Sequence, residues 1–233
     1  DNRGHAYVNL KCYVEAIADF TKAIELSSEE VAHYDERGCA YLNLERYDEA
    51  IADHTKAIEL NSEEAAYYDN RGLAYGNLER YDEAIADYTT DIKLNPNEAD
   101  TYNERGCLYQ SLGQYHLALA DFNAALEHQP GHADYFIYRG ETYAGLGEYV
   151  KAILDIQRAI ALEPDDFMHR MRQAVGLPCV VGGLFRPESG RLDGLRMAAA
   201  QGLGRDQAED LVRRATARAM RVLASACMAW RWR

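Results

Sequence analysis

The chain has 233 residues, 27% of them charged, and a formal charge of −13. Residues 1–170 hold 14 Lys and Arg against 33 Asp and Glu, whereas residues 171–233 hold 11 Arg, no Lys and 5 Asp and Glu. The first part therefore disfavours nonspecific nucleic-acid binding, which rests on basic side chains neutralising phosphates, and no apolar run is long enough to span a membrane.

From the first residues onward the segment Arg-Gly-x-x-Tyr recurs, with Arg3, Arg37, Arg71, Arg105 and Arg139 each 34 residues after the last. A constant period without insertions marks an array of one supersecondary unit. The units read as 1–30 (partial), 31–64, 65–98, 99–132 and 133–166. Residues 35–68 and 69–102 agree at 23 of 34 positions. In Tyr68–Arg80, Tyr68, Gly72, Tyr75 and Leu78 share the spacing of one helix face, and Ala84, Ile85, Tyr88, Ile92 and Leu94 do so in Tyr81–Leu94. Asn95-Pro96-Asn97 stops the second helix. Each unit is predicted to be a short helical hairpin, A followed by B.

Two features of the unit have a structural reading. Gly4, Gly38, Gly72, Gly106 and Gly140 are expected to let helix B approach helix A, answered by Ala16, Ala50, Ala84, Ala118 and Ala152. Every unit also carries an aspartate sixteen residues after its arginine. An antiparallel hairpin sets these side by side, which predicts ion pairs Arg3–Asp19, Arg37–Asp53, Arg71–Asp87, Arg105–Asp121 and Arg139–Asp155.

The 34-residue period, Tyr68, Gly72, Tyr75, Ala84, Tyr88 and Pro96 together resemble the tetratricopeptide repeat (TPR) family over residues 1–170. The departures are tyrosine or another residue for tryptophan, Ser28 and Ser62 where proline is usual, and arginine for the leucine before glycine. The resemblance implies an all-α, right-handed superhelical solenoid of antiparallel helix hairpins in which helix A lines a concave groove. Its ligand-facing positions would be Asp1, Asp35, Asp69 and Asn103, then His5, Cys39, Leu73, Cys107 and Glu141, then Asn9, Asn43, Asn77, Ser111 and Gly145. The asparagines are suited to hydrogen-bond the backbone of an extended peptide with donor and acceptor alike, and the aspartates to attract Lys or Arg. The Lys and Asn set with which some members clamp a C-terminal carboxylate is missing. Asp91 stands where other units have alanine, at a place the family packs tightly, so either a cationic partner such as Arg105 is expected for it, the favoured reading, or the third unit is locally weakened.

Chemistry beyond binding finds little support. His128 and His132 are close in sequence but have no third ligand at metal spacing, so no metal and no cofactor are expected. No phosphate loop, nucleophile elbow or carboxylate pair is present. Cys39 and Cys107 stand two repeats apart, beyond disulfide reach, so reduced thiols and a cytoplasmic location are expected.

After Pro164 the period fades. Residues 167–175 are expected to form a capping helix, completing a solenoid over 1–175. Residues 176–204 read as a linker, and 205–233 as a basic amphipathic tail of low order. All 17 tyrosines precede residue 171 and both tryptophans follow it. The tail could bind a membrane surface or nucleic acid, or occupy the acidic groove as an internal ligand. The abrupt change in composition favours a third reading, out-of-frame or chimeric sequence without a selected fold. The chain opens at Asp1 inside an expected helix A, so a fragment is expected. The reading is a non-enzymatic scaffold for a protein or peptide partner, preferably basic. The alternative is the recognition part of a larger enzyme whose catalytic domain lies elsewhere.

Overall fold

A computed structural model of the chain describes residues 12–163. Among them every regular element is helical: α1 (Tyr13–Leu26), α2 (Val31–Asn43), α3 (Tyr47–Leu60), α4 (Ala65–Asn77), α5 (Tyr81–Leu94), α6 (Ala99–Ser111), α7 (Tyr115–His128), α8 (Ala133–Gly145) and α9 (Tyr149–Leu162). Helices of 13 and 14 residues alternate, as a two-helix unit repeating every 34 residues requires. The protein is thus an all-α array of helical hairpins. Residues 1–11 and 164–233 lie outside the described part, and with them Arg3, the expected cap at 167–175, the linker and the tail.

The A helices stop earlier than the apolar spacing alone suggests, and the stop has a defined geometry. Helix α4 starts at Ala65 and ends at Asn77, three residues before Arg80. Glu79 adopts φ +59°, its N–H donates to Gly76 O at 3.0 Å, and the Arg80 N–H donates to Tyr75 O at 2.9 Å. These are the two bonds of a Schellman cap, whose left-handed residue turns the chain out of the helix. The same stop follows α2 at Glu45 (φ +58°), α6 at Gly113 (φ +71°) and α8 at Gly147 (φ +77°). The carbonyl that receives the bond from five residues on belongs each time to the tyrosine of Arg-Gly-x-x-Tyr: Tyr41, Tyr75, Tyr109 and Tyr143. The B helices end with Ser27, Asn61, Asn95, Gln129 and Glu163, whose N–H groups return to the carbonyl four residues back.

The described residues fall in two compact units divided between Leu108 and Tyr109. In the first, α1 packs on α2, α2 on α3, α3 on α4 and α4 on α5, and α2 also reaches α4. Its interior includes Ala16, Phe20, Ala50, Ala57, Ala84 and Tyr88, all buried. In the second, α8 packs against α7 and α9, and Ala133, Ile137, Ala152, Ile156 and Ala159 form a buried cluster.

At Gly38 and Gly72 the close approach differs from the alanine contact expected of them, whereas at Gly140 the expected alanine is met. A Cβ on Gly38 would meet the His54 ring at 2.7 Å, and one on Gly72 the Tyr88 ring at 3.1 Å. At these two sites the glycine makes room for the side chain one turn beyond the small residue of helix B. At Gly140 the neighbours are the Ala152 carbonyl oxygen and the Asp155 Cβ, each at 3.3 Å, so there the backbones themselves come close.

Candidate functional site

Three arginine–aspartate pairs form in one geometry. Arg37 Nε and Nη2 donate to Asp53 Oδ2 and Oδ1, both at 2.7 Å. Arg71 reaches Asp87 at 2.8 and 2.7 Å, and Arg139 reaches Asp155 at 2.8 Å through both nitrogens. Such two-point contacts fix orientation as well as charge. The hydrogen bonds to these aspartates hold each guanidinium above its ordinary pKa.

The third arm of the fork follows a series the sequence reading did not pick out. Arg37 Nη1 donates to Thr21 Oγ1, Arg71 Nη1 to Thr55 Oγ1 and Arg105 Nη1 to Thr89 Oγ1, at 2.9–3.0 Å. In the second unit Arg139 Nη1 donates to Asn123 Oδ1 at 2.7 Å. Each acceptor sits on helix B of the preceding repeat, so Arg37, Arg71 and Arg139 each tie their own hairpin and fasten it to its neighbour. Thr21 and Thr89 pass the bond on to the carbonyls of Ile17 and Ile85. Arg37 and Arg71 also lie within 6.0 Å of two tyrosine rings each, Tyr34 with Tyr41 and Tyr68 with Tyr75. Asp19 and Asp121 are placed on α1 and α7, and the expected partner of Asp19, Arg3, is outside the described residues.

The helix A series divides by exposure. Asn43 and Leu73 are exposed, Asp35, Cys39, Asp69 and Asn77 half-buried, and Ser111 is exposed at the end of α6. Asn103 and Cys107, expected on an open groove, are buried, at 7% and 2% exposure. Repeat position alone does not reveal that burial. The asparagine ladder also changes. Asn43 Nδ2 donates to Cys39 O and Asn77 Nδ2 to Leu73 O, both at 2.8 Å, so their donors are engaged within their own helices. Their carbonyl oxygens are the groups suited to a ligand.

The acids on this face sit in an unfavourable field. Burial, then Glu36 and Glu64, push the Asp35 carboxyl up to about 6. Burial, then Asp91, Glu104, Glu98 and Asp100, push Asp69 up to about 7. Cys39 is held up at about 12 by burial and by Asp35 and Glu36. Asp91 itself is buried, and its partner is a hydroxyl where a cation was expected: Thr101 Oγ1 donates to Asp91 Oδ2 at 2.6 Å. Thr101 is 2% exposed and stands where other units carry His33, Tyr67 and Tyr135, so two departures from the repeat answer each other.

Beneath Asp35 lies His54, wholly buried, at the helix B position that Phe20, Tyr88, Phe122 and Ile156 occupy in other units. Burial, then Arg71, lower its imidazole to about 4, so the ring is neutral. From the sequence alone, one polar ring in an aromatic series looks like a packing substitution. The signal was its singularity in a register otherwise apolar.

Among the described residues no helix is long and apolar enough to cross a membrane. Models of the tetratricopeptide repeat match residues 1–30, 36–64, 65–98 and 103–167. No curated protein matches the chain in sequence. Among solved structures, YrrB, described as a TPR protein with an unusual peptide-binding site, is 29% identical with a TM-score of 0.64, covering 72% of this chain and 88% of its own. MamA is 23% identical with a TM-score of 0.68 over 70% of this chain and 95% of its own. A MamA segment from Desulfovibrio magneticus RS-1 is 16% identical with a TM-score of 0.68, covering 70% of this chain and 92% of that one. The MamA likenesses speak for the fold alone.

Proposed function

The chain belongs to the tetratricopeptide repeat family, and on that footing we propose that it is a non-enzymatic scaffold that holds an extended, basic protein segment against its A helices. The observation that carries the reading is the pair of carboxyls Asp35 and Asp69. Both are pushed up by burial and by other acids. A lysine or arginine brought to this face relieves that field, whereas an acidic segment aggravates it. Leu73, at 40% exposure, offers an apolar contact between them and the Oδ1 atoms of Asn43 and Asn77. The likeness to YrrB, a protein described as having a peptide-binding site, supports the same use of the fold. The acidic face favours protein over nucleic acid as a partner, since phosphates would be repelled.

Fluorescence anisotropy with labelled Lys/Arg-rich and Asp/Glu-rich peptides of equal length, in EDTA, tests this directly. The basic peptides should bind, with affinity falling as salt rises. Asp35→Asn with Asp69→Asn should weaken them about tenfold or more, the loss of two charge-assisted contacts. Equal binding of acidic and basic peptides, or an unaffected double variant, would refute the proposal.

A further inference from the structure

We propose that Asp35, Cys39 and His54 form a binding site for one divalent transition-metal ion of the zinc type, seated between α2 and α3. Asp35 and Cys39 are four residues apart on one face of α2, which places their side chains side by side. His54 comes from α3 and points at them: its Nδ1 lies 3.5 Å from Asp35 Oδ1. Cys39 Sγ is 3.9 Å from the same carboxylate oxygen. One ligand atom from each residue lies within 4.8 Å of the others. Zinc bonded to sulfur at about 2.3 Å and to nitrogen and oxygen at about 2.0–2.2 Å sets tetrahedral ligand atoms roughly 3.3–3.7 Å apart. The three groups therefore stand close to a ligating arrangement and need only small side-chain rotations to reach it.

An independent observation comes from the histidine. Its side chain is entirely buried, yet neither Nδ1 nor Nε2 has a hydrogen-bond partner among the described residues. A core histidine ordinarily satisfies at least one ring nitrogen, because a buried polar atom left alone is costly. An ion at the Asp35–Cys39 edge would take the Nδ1 lone pair. Gly38 leaves room for the ring, since a Cβ there would meet it at 2.7 Å.

The donor set selects the ion. A thiolate and an imidazole favour zinc or its neighbours over magnesium or calcium, which prefer oxygen alone. On binding, the Cys39 thiol gives its proton to solvent and its sulfur bonds the metal, while Asp35 enters as carboxylate and His54 as neutral imidazole. The 2+ charge is then balanced by one thiolate and one carboxylate. Asn70 Nδ2, 3.6 Å from Cys39 Sγ, is placed to support the sulfur from α4 as an outer partner. Three protein ligands leave a fourth position for water or for a side chain of a bound segment. The repeat supplies its own controls. The equivalent residues are Asp69, Leu73 and Tyr88 in the next unit, and Asn103, Cys107 and Phe122 in the one after, neither of them a three-ligand set.

The test titrates the whole chain, reduced and stripped with EDTA, with Co2+ in the absence of any peptide, and follows the visible d–d bands and the thiolate-to-cobalt charge-transfer band. One equivalent should bind with both features, and Zn2+ should displace it. Cys39→Leu and His54→Tyr install the residues of the neighbouring unit, which keeps the fold within the repeat's own repertoire. Each should weaken binding by about tenfold or more, and Cys39→Leu should abolish the charge-transfer band. Absence of the band in the unaltered chain, or its survival in Cys39→Leu, overturns the site without reference to how any variant folds. Because no peptide is present, failure here leaves the groove proposal standing, and the converse also holds.

Discussion

Arg71 holds three oxygens at once, two on Asp87 and one on Thr55, while two tyrosine rings flank its guanidinium. With side chains only 17% and 8% exposed, neither Arg71 nor Asp87 has much water to fall back on when its partner goes. Removing one member should therefore cost about 3 kcal/mol, the scale for an orphaned buried charge. Arg71→Ala and Asp87→Ala, measured by denaturant unfolding, should each show that loss. The double variant should cost clearly less than their sum, and simple additivity would show that the pair is not coupled. Much of this residue-level pattern was legible in the sequence, because arginine and aspartate share one period and a hairpin must bring them together. The Thr21, Thr55 and Thr89 series shares the period too. It escaped because its meaning depends on how one hairpin stacks on the next, which intra-repeat geometry does not specify. Asp91 was recognised as anomalous but given the wrong partner, since a buried carboxyl can be satisfied by a hydroxyl such as Thr101 as well as by a cation.

At the scale of the element, the four A-helix stops offer a comparison inside one molecule. Glu45 and Glu79 hold the left-handed conformation that Gly113 and Gly147 hold elsewhere. A residue with a Cβ pays about 1–2 kcal/mol there, partly offset by the greater freedom glycine loses on folding. Glu79→Gly should accordingly stabilise the chain by about 0.5–1 kcal/mol, and Gly147→Glu should destabilise it by a similar amount. Thermal unfolding of the two single variants reads both signs, and matching signs would contradict the cap assignment. Helix existence and order followed from the apolar spacing. The boundary of α4 did not, because the Schellman turn is encoded in backbone conformation and a glutamate occupies the residue that usually advertises it.

For the molecule as a whole, negative charge is the feature that joins stability to binding. Asp69 is raised from 3.8 to about 7, so its folded form binds the proton more tightly than its unfolded form. Its stabilising contribution is complete below pH 3.8 and is lost as pH rises through about 7. Asp69→Asn should therefore flatten the fall in melting temperature across that window and melt higher than the parent chain at about pH 8. An unchanged pH profile would mean that the carboxyl is ordinary. The exposed part of the candidate face was legible as a family position, whereas the burial of Asn103 and Cys107 was not, because burial is a property of packing that repeat position does not carry. His54 was hidden for the opposite reason: its place in the repeat is so well determined that its chemistry was easy to overlook.

The central claim, that ligand is held on the A helices, is tested most directly by photo-crosslinking. A photoreactive phenylalanine placed at Leu73 on α4 is compared with one placed at Glu59 on the exposed side of α3, each irradiated with a pool of Lys/Arg-rich peptides. The account predicts strong, salt-sensitive labelling from position 73 and background labelling from position 59. Equal labelling at the two positions, or labelling confined to position 59, would contradict it.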